Sequence, residues 1–342
     1  MKKIQKIFIA VAALLAIGDV TFAAKKRPVL RVGSSSGDAR DFDGNVGVAK
    51  ELKLIEAELD KIGWDVEYTT FENGIEVNEA IISGDIDVSI IGDVPGFTGF
   101  GNAIGSVWIG STLKTFDLAI ITAKNSAIKS PKDLEGKTVS YKIGTVNHFG
   151  FENFAKGNNL NRESIKIANL NGPNALAALF SGELAAVSAN ASFCLPYVTT
   201  GEADLLFNSK DKPEWGSQLQ LIARQKFVKK NREAVVAFEK ALIKAREEVI
   251  KNPEKYYVQI SAKRIAKTPE IGAELYNIDN GKFYNLVPNI TEELIAKGQT
   301  LYDFFYDLGR IQKKKDVHAF ADNSFYEQAA KELKAEGFRI TE

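Results

Sequence analysis

Short strand-like runs alternate with amphipathic helical stretches along the first half of this chain. Apolar residues recur at helical spacing over 48–62, where Gly63 supplies a stop, and a second helical stretch covers 75–83. Strand-like runs lie between and after them, at 65–71 and 88–91. Because such alternation is typical of β-α-β units, it predicts an α/β fold built on mainly parallel sheets.

A second series of the same kind follows from 117–121 onwards. Ser130-Pro131-Lys132-Asp133 has the form of a helix start, with a capping residue, a proline at the first helical position and an acid three residues after the cap. Further strand-like runs lie at 138–141, 165–170 and 185–189, and further helical stretches at 149–157 and 173–181. After about Gln220 long charged helical segments dominate, at 231–251 and 291–308, without further clear strands.

Residues 1–23 have the pattern of a cleaved secretory signal. A short lysine-containing start precedes an apolar run over 7–17, and Thr21 and Ala23 place small residues at the −3 and −1 positions of a cleavage site. The apolar run is shorter than the roughly 20 residues that a membrane helix needs. We therefore expect cleavage near Ala23 and a periplasmic protein, and no lipid anchor, because no cysteine lies near the cleavage site.

Composition excludes several classes of function. The chain has 44 basic and 44 acidic residues, and removing three lysines and one aspartate with residues 1–23 leaves a net charge of about −2. Such a balance gives no electrostatic footprint for nucleic acid or an anionic membrane. Cys194 is the only cysteine, and with two widely spaced histidines, His148 and His318, it makes no convincing zinc site. We expect neither a metal nor a cofactor, and the length favours two domains.

Three sequence blocks carry a resemblance to a known family: "ISGDIDVSIIGDVPGF" (82–97), "SPKDLEGKTVSYKIGTVNHF" (130–149) and "LNGPNALAALFSGELAAV" (170–187). In this order and spacing they resemble the extracytoplasmic solute-binding proteins of ABC importers, in the nitrate, taurine and aliphatic sulfonate branch. The resemblance covers roughly residues 28 to 240.

The resemblance implies a type 2 periplasmic-binding-protein fold, with two α/β lobes, a ligand cleft between them and two hinge crossings. We place the crossings near 114–117 and 206–221. The first lobe would then hold 28–115 plus about 221–342, and the second 116–210. The implied function is capture of a small anion and its delivery to the permease and ATPase of an importer, by a monomer that is not an enzyme.

Open α/β sheets bind ligands beyond the carboxyl ends of their strands, where helix N-termini point into the crevice. Four such strand ends are recognisable, and the resemblance makes them candidates for one ligand site. The candidate ligand-binding residues are Ser34, Ser35, Ser36, Gly92, Asp93, Gly144, Thr145, His148, Asn190 and Ser192. Each loop taken alone also fits an ordinary turn rich in Gly, Ser, Asn and Pro. His148 would serve equally as a helix cap or packing residue, and Asp93 as an acceptor for local backbone N–H groups.

Two observations leave alternatives open. Gly33-Ser34-Ser35-Ser36-Gly37 fits the pattern of a hydrolase nucleophile elbow, with Ser35 as nucleophile and His318 as a formal partner. Such an elbow normally follows several strands, whereas only one strand precedes Ser35, so we favour a ligand cradle. Where the sulfonate branch has a Trp-Asp-Pro-like step, this chain has Asn190-Ala191-Ser192, which leaves the ligand's identity open. A pyrimidine-synthase-like enzyme of the same fold and an extracytoplasmic sensor remain further alternatives.

Overall fold

A computed structural model describes residues 26–35, 42, 44–170, 172–259, 270, 286 and 288–341. The predicted signal segment 1–23 and the candidate Ser36 lie outside these residues. The strands are β1 (Val29–Ser35), β2 (Asp65–Phe71), β3 (Val88–Gly92), β4 (Ser106–Phe116), β5 (Leu118–Ala123), β6 (Thr138–Ser140), β7 (Lys166–Ala168), β8 (Ala186–Asn190), β9 (Ala203–Asn208) and β10 (Ser217–Arg224). The α-helices are α1 (Gly44–Glu51), α2 (Leu54–Asp60), α3 (Gly74–Ser83), α4 (Asp93–Gly101), α5 (Val146–Gly157), α6 (Gly172–Phe180), α7 (Ala191–Thr199), α8 (Gln225–Val228), α9 (Arg232–Lys251), α10 (Glu292–Asp307) and α11 (Ser324–Ala335).

The strands form two five-stranded sheets, in the orders β2-β1-β3-β10-β4 and β7-β6-β8-β5-β9. We call the first sheet with α1–α4 and α8–α11 the first lobe, and the second sheet with α5–α7 the second lobe. The chain passes from the first sheet to the second through Asp117 and returns over 209–216. The predicted two-lobed α/β fold is therefore confirmed.

Each sheet has three parallel strands and two antiparallel pairings. β2, β1 and β3 run parallel in the first sheet, and β7, β6 and β8 in the second, as the alternation predicted. β10 pairs antiparallel with both β3 and β4, and β5 pairs antiparallel with both β8 and β9. No sequence pattern had marked β4, β9 or β10, which are three of the four strands that flank the two crossings.

The sequence predicted one helix over 48–62, and this prediction was wrong, because the structure has two helices there, α1 and α2. Lys53 between them has a left-handed backbone with φ of 54°, which interrupts the helical hydrogen bonds. Gly63 has φ of 74° in the turn that leads into β2, as suits a residue that follows a helix.

The apolar core of the first lobe extends onto the second. Phe97, Trp108 and Tyr302 form the centre of one buried cluster, with Phe97 edge-on to both other rings. Phe149 of α5 belongs to the same cluster, although α5 packs on the second sheet. The lobes therefore share packed surface in addition to the two crossings. Within the described part of the chain, no helix combines the length and the hydropathy that crossing a bilayer requires.

Candidate ligand-binding site

The carboxyl ends of the parallel strands in both sheets lie beside the two crossings. Phe116, the last residue of β4, pairs with Ser217, the first residue of β10. On the other side of the first crossing, Leu118 pairs with Asn190, the last residue of β8. The strand ends of the two lobes thus meet at the crossings, where a cleft between lobes would lie.

Ser34 and Ser35 are the last two residues of β1, at this edge of the first sheet. Ser34 is 4% exposed and Ser35 is half-buried. Their backbones pair with β2, and among the described residues neither hydroxyl has a hydrogen-bond partner. The two hydroxyls are therefore available to donate to a bound group, and Ser35 has no described histidine as a base.

Asp93 begins α4 directly after β3, but its carboxylate is fully occupied within the protein. Its Oδ1 accepts from the Ser217 hydroxyl at 2.5 Å and from the Val94 N–H at 2.9 Å, and its Oδ2 accepts from the Gln218 N–H at 2.9 Å. Burial raises the pKa of Asp93, and the Ser217 hydroxyl and the Lys297 ammonium oppose that rise. Asp93 is 1% exposed, and its contacts join the end of β3 to the start of β10. Gly92 precedes it as the N-cap of α4.

The start of α5 lacks a side-chain cap. Thr145 occupies the N-cap position, yet its hydroxyl donates to the Lys142 carbonyl at 2.7 Å and accepts from no N–H of the helix. Gly144 before it has φ of 80°, a conformation that a side chain would strain, and its α-carbon faces Arg310 of the first lobe. A β-carbon on Gly144 would lie 3.4 Å from the Arg310 guanidinium carbon. An uncapped helix start, with its positive partial charge, thus lies beside a cation from the opposite lobe.

His148, in the first turn of α5, packs between aromatic rings. It stacks on Tyr141 with centroids 5.1 Å apart, and meets Phe304 of α10 edge-to-face at 5.5 Å. The Gly144 N–H donates to His148 Nδ1 at 3.3 Å, so that nitrogen is the unprotonated one. Burial lowers the pKa of His148, the cations Arg162 and Arg310 lower it further, and Glu152 opposes them. His148 is therefore a neutral residue that packs between aromatic rings.

Asn190 ends β8 and caps α7 without a side-chain hydrogen bond to that helix. The N–H of Ala191 donates to the Asp117 carbonyl at 2.8 Å, which ties the start of α7 to the first crossing. Ser192 lies in the first turn of α7, and its side chain is outside the described part of the structure. The loop that departs from the resembled family therefore lies at the expected strand end.

A family comparison matches residues 60–256, more than half of the chain, to the family described as "NMT1/THI5 like". The chain belongs to the NMT1/THI5-like family. The matched range includes three of the four strand ends considered above. The fourth, at Ser34 and Ser35, precedes it.

Individual relatives of this NMT1/THI5-like chain include binding proteins. A Bacillus subtilis (strain 168) protein, provisionally named an aliphatic sulfonates-binding protein, is 23% identical over 298 residues, which cover 85% of this chain and 86% of that protein. The crystal structure of the periplasmic aliphatic sulphonate binding protein SsuA from Escherichia coli matches with a TM-score of 0.73 at 21% identity, covering 87% of this chain and 92% of that chain.

An enzyme shares the same fold. The desulfurization enzyme DszB matches this NMT1/THI5-like chain with a TM-score of 0.73 at 12% identity, covering 90% of this chain and 99% of that one. Since both solved structures are below 25% identity, they show the fold and leave the choice between binding and catalysis to the site itself.

Several polar residues that the sequence did not mark are buried in this NMT1/THI5-like chain. Both side-chain polar atoms of Asn45 in α1, the Thr112 hydroxyl of β4 and the Ser188 hydroxyl of β8 lack partners among the described residues. Gly44 lies against Thr112, with 3.7 Å from an added β-carbon to the Thr112 β-carbon. Asn45 follows that glycine, which has φ of 61°, and a Gly-Asn pair before a helical run is a signal that would have found it. Thr112 and Ser188 sit inside apolar strands and give no such signal.

The groups available at these strand ends are neutral hydroxyl and amide donors together with the Arg310 cation. The hydroxyls and amides have no described catalytic partner, and among the described residues no group of histidine, cysteine and acidic side chains could hold a metal ion. Arg310 forms no ion pair with any described residue, so it brings an uncompensated positive charge to the start of α5.

Proposed function

We propose that this chain is the solute-binding component of an ABC importer, which captures a small anion such as a sulfonate or a related organic acid and delivers it to a membrane permease. The observation that supports this proposal is that the strand ends carrying Ser34, Ser35 and Asn190 lie at the sheet edges from which the two crossings leave. The name of the Bacillus subtilis relative supports the ligand class. We infer lobe limits close to 28–115 plus about 221–342 and 116–210, with Phe116 and Ser217–Gln220 assigned to the first lobe because they belong to its sheet.

The preference for an anion rests on the charges at the site. The uncapped start of α5 carries a positive partial charge, and Arg310 adds a full charge from the opposite lobe. The acid that directly follows β3, Asp93, is occupied by Ser217, Gln218 and Val94. A ligand carboxylate or sulfonate would therefore meet hydroxyl and amide donors together with the Arg310 cation. Its oxygens would also supply partners for the buried hydroxyls, since buried polar groups are almost always hydrogen-bonded.

Isothermal titration calorimetry with methanesulfonate, taurine, nitrate and bicarbonate tests the proposal, with lysine as a cationic control. We expect at least one anion to bind, and Arg310→Gln to weaken it by about 1.5–3 kcal/mol, the range for a charged hydrogen bond. Arg339→Gln makes the same change of charge in the segment after α11, where the neighbouring Thr341 bonds α9, and should leave affinity unchanged. Binding of lysine in preference to every anion would overturn the anion assignment.

Export is part of the proposal and has its own test. We propose that residues 1–23 direct the chain to the periplasm and are removed. The mature protein recovered from a periplasmic extract should begin near residue 24, which N-terminal sequencing or intact mass would show. A full-length chain in the cytoplasmic fraction would contradict it.

A secreted hydrolase at Ser35 is the second candidate, because the fold is shared with an enzyme. His148 stacks on Tyr141, and His318 bonds Asp316 and Glu292 at 2.8 and 3.1 Å, so both histidines are engaged elsewhere. A fluorophosphonate probe should therefore leave Ser35 unlabelled. Stoichiometric labelling of Ser35 would favour the hydrolase over the transport receptor.

A further inference from the structure

Asp93 connects the start of α4 to the point where the chain re-enters the first sheet. Its carboxylate accepts from the Ser217 hydroxyl and from the Gln218 backbone N–H, 124 and 125 residues away in the chain. Ser217 and Gln218 are the first residues of β10, directly after the second crossing. The carboxylate therefore fixes the end of that crossing to the end of β3.

The contacts of Asp93 with Ser217 and Gln218, which we call the joint, also hold the first crossing. Ser217 pairs with Phe116, the last residue of β4, and the chain enters the second lobe one residue later, at Asp117. The Lys297 ammonium of α10 donates to the Ser217 carbonyl at 3.4 Å. Both crossings therefore leave the first lobe from one small cluster, made of Asp93, Ser217, Gln218 and Lys297.

We propose that Asp93 is a positioning residue for ligand capture, which fixes the pivot about which the two lobes close and does not itself touch the ligand. The inference rests on the proposed function, because it assumes that capture involves closure of the lobes. Closure hinges at a few residues that absorb the change in backbone angles, and the segments that flank them must stay fixed. Three hydrogen bonds accepted by a carboxylate at 1% exposure provide such a fixed point.

The energetic consequence is a uniform effect on affinity. If the pivot loosens, the free protein samples more lobe angles and less of it is competent to close. Apparent affinity falls in proportion to the competent fraction, whatever the ligand. Removing a group that touches the ligand would instead affect different ligands unequally, because they present different groups.

Asp93→Asn tests the inference, since asparagine keeps the shape but has one acceptor oxygen for the three donors that the carboxylate satisfies. Distances between spin labels at Glu67→Cys in β2 and Lys166→Cys in β7, in a Cys194→Ala background, report the lobe angle by pulsed electron resonance. We expect the ligand-free distance distribution to broaden in Asp93→Asn, and the affinities for methanesulfonate and taurine to fall by the same factor, about ten-fold if a tenth of the protein stays competent.

Two results would overturn the inference: an unchanged ligand-free distribution, or reductions in affinity that differ between the two anions. Should Asp93→Asn fail to fold, Ser217→Ala removes a single hydroxyl from the same joint and must broaden the distribution in the same way. The distribution is measured without ligand, so it tests the pivot even if neither anion binds. Absence of binding to the unsubstituted protein would count against the proposed function alone.

Discussion

Phe304 of the first lobe and His148 of the second meet edge-to-face, with ring centroids 5.5 Å apart and ring planes at 75°. The same Phe304 ring meets Phe149 at 5.2 Å, also edge-to-face. These contacts join α10 to α5 beside the uncapped helix start. They give the lobes a third connection, made by packing and not by the chain.

Removal of the Phe304 ring should loosen this connection. Three aromatic pairs, with His148, Phe149 and the neighbouring Phe305, at about 0.5–1.5 kcal/mol each predict that Phe304→Ala lowers the free energy of unfolding by roughly 1.5–4.5 kcal/mol. It should also enlarge the radius of gyration of the ligand-free protein in small-angle scattering. Phe180→Ala is the matched control, because the Phe180 ring is half-exposed and meets Tyr197 within the second lobe. Equal radii for both variants would argue against a lobe contact at Phe304.

Acid should weaken the same contact through His148. Its folded-state pKa is lowered by burial, so the stability that depends on neutral His148 is complete above the ordinary value of 6.5 and is lost as pH falls below it. Protonation would place a proton on Nδ1, which accepts from Gly144, and a charge near Arg162 and Arg310. His148→Phe should therefore show a smaller fall in melting temperature between about pH 7.5 and pH 5.5.

His318 provides the control for that measurement. Hydrogen bonds to Asp316 and Glu292 raise the pKa of His318, so any stability it contributes is present in acid and is lost as pH rises. His318→Gln should thus leave the acid-induced fall in place or deepen it. If His318→Gln abolished the acid-induced fall in melting temperature and His148→Phe did not, His318 and not His148 would be the group that causes it.

Glu239 in α9 should make the protein less stable as pH rises. It is 0% exposed, neither carboxyl oxygen has a partner among the described residues, and burial raises its pKa well above 4.5. The folded state therefore holds the proton to higher pH than the unfolded chain, and stability is lost as pH rises from 4.5 towards the folded-state pKa. Each pH unit in that window is worth about 1.4 kcal/mol. Glu239→Gln should raise the melting temperature at neutral pH, with a smaller gain near about pH 5.

Glu247, two turns further along α9, is the matched control for Glu239. Its carboxylate accepts from the Thr341 N–H and hydroxyl at 3.0 and 2.7 Å, so Glu247→Gln removes an occupied acceptor and should destabilise. If both substitutions stabilised the protein, the hydrogen-bond partners of the two carboxyl groups would not explain the direction of the change in stability.

The serine hydroxyls at the end of β1 should contribute unequally to ligand binding. Each productive hydroxyl bond is worth about 0.5–1.5 kcal/mol, or up to about 3 kcal/mol to a charged group. Ser34→Ala and Ser35→Ala should thus weaken binding of the best anion by several-fold to about a hundred-fold in calorimetry. Neither should change the melting temperature of the ligand-free protein by more than a degree or two, since neither hydroxyl has a described partner to lose. Unchanged affinity in both variants would show that the end of β1 does not contribute to the ligand site.

Local interactions explain what could be predicted without the structure. β2 has the predicted bounds of 65–71, and the helix start at Ser130 has the predicted capping box with Asp133. Both depend on neighbours within a few residues, which the sequence displays directly. The two-lobed fold followed from sequence blocks whose order matched a family, since each block encodes a strand, a turn and the start of a helix.

The alternation of strands and helices, the strand ends that could meet a ligand and the family could all be predicted from patterns along the chain. The hydrogen bond between Asp93 and Ser217, the contact of His148 with Phe304, and the lack of a partner for Glu239 among the described residues could be seen only in the folded chain. In the first two cases more than a hundred residues separate the partners, and in the third burial depends on several elements packed around one helix. Spacing along a chain carries no record of such contacts, because the folding of the whole chain creates them.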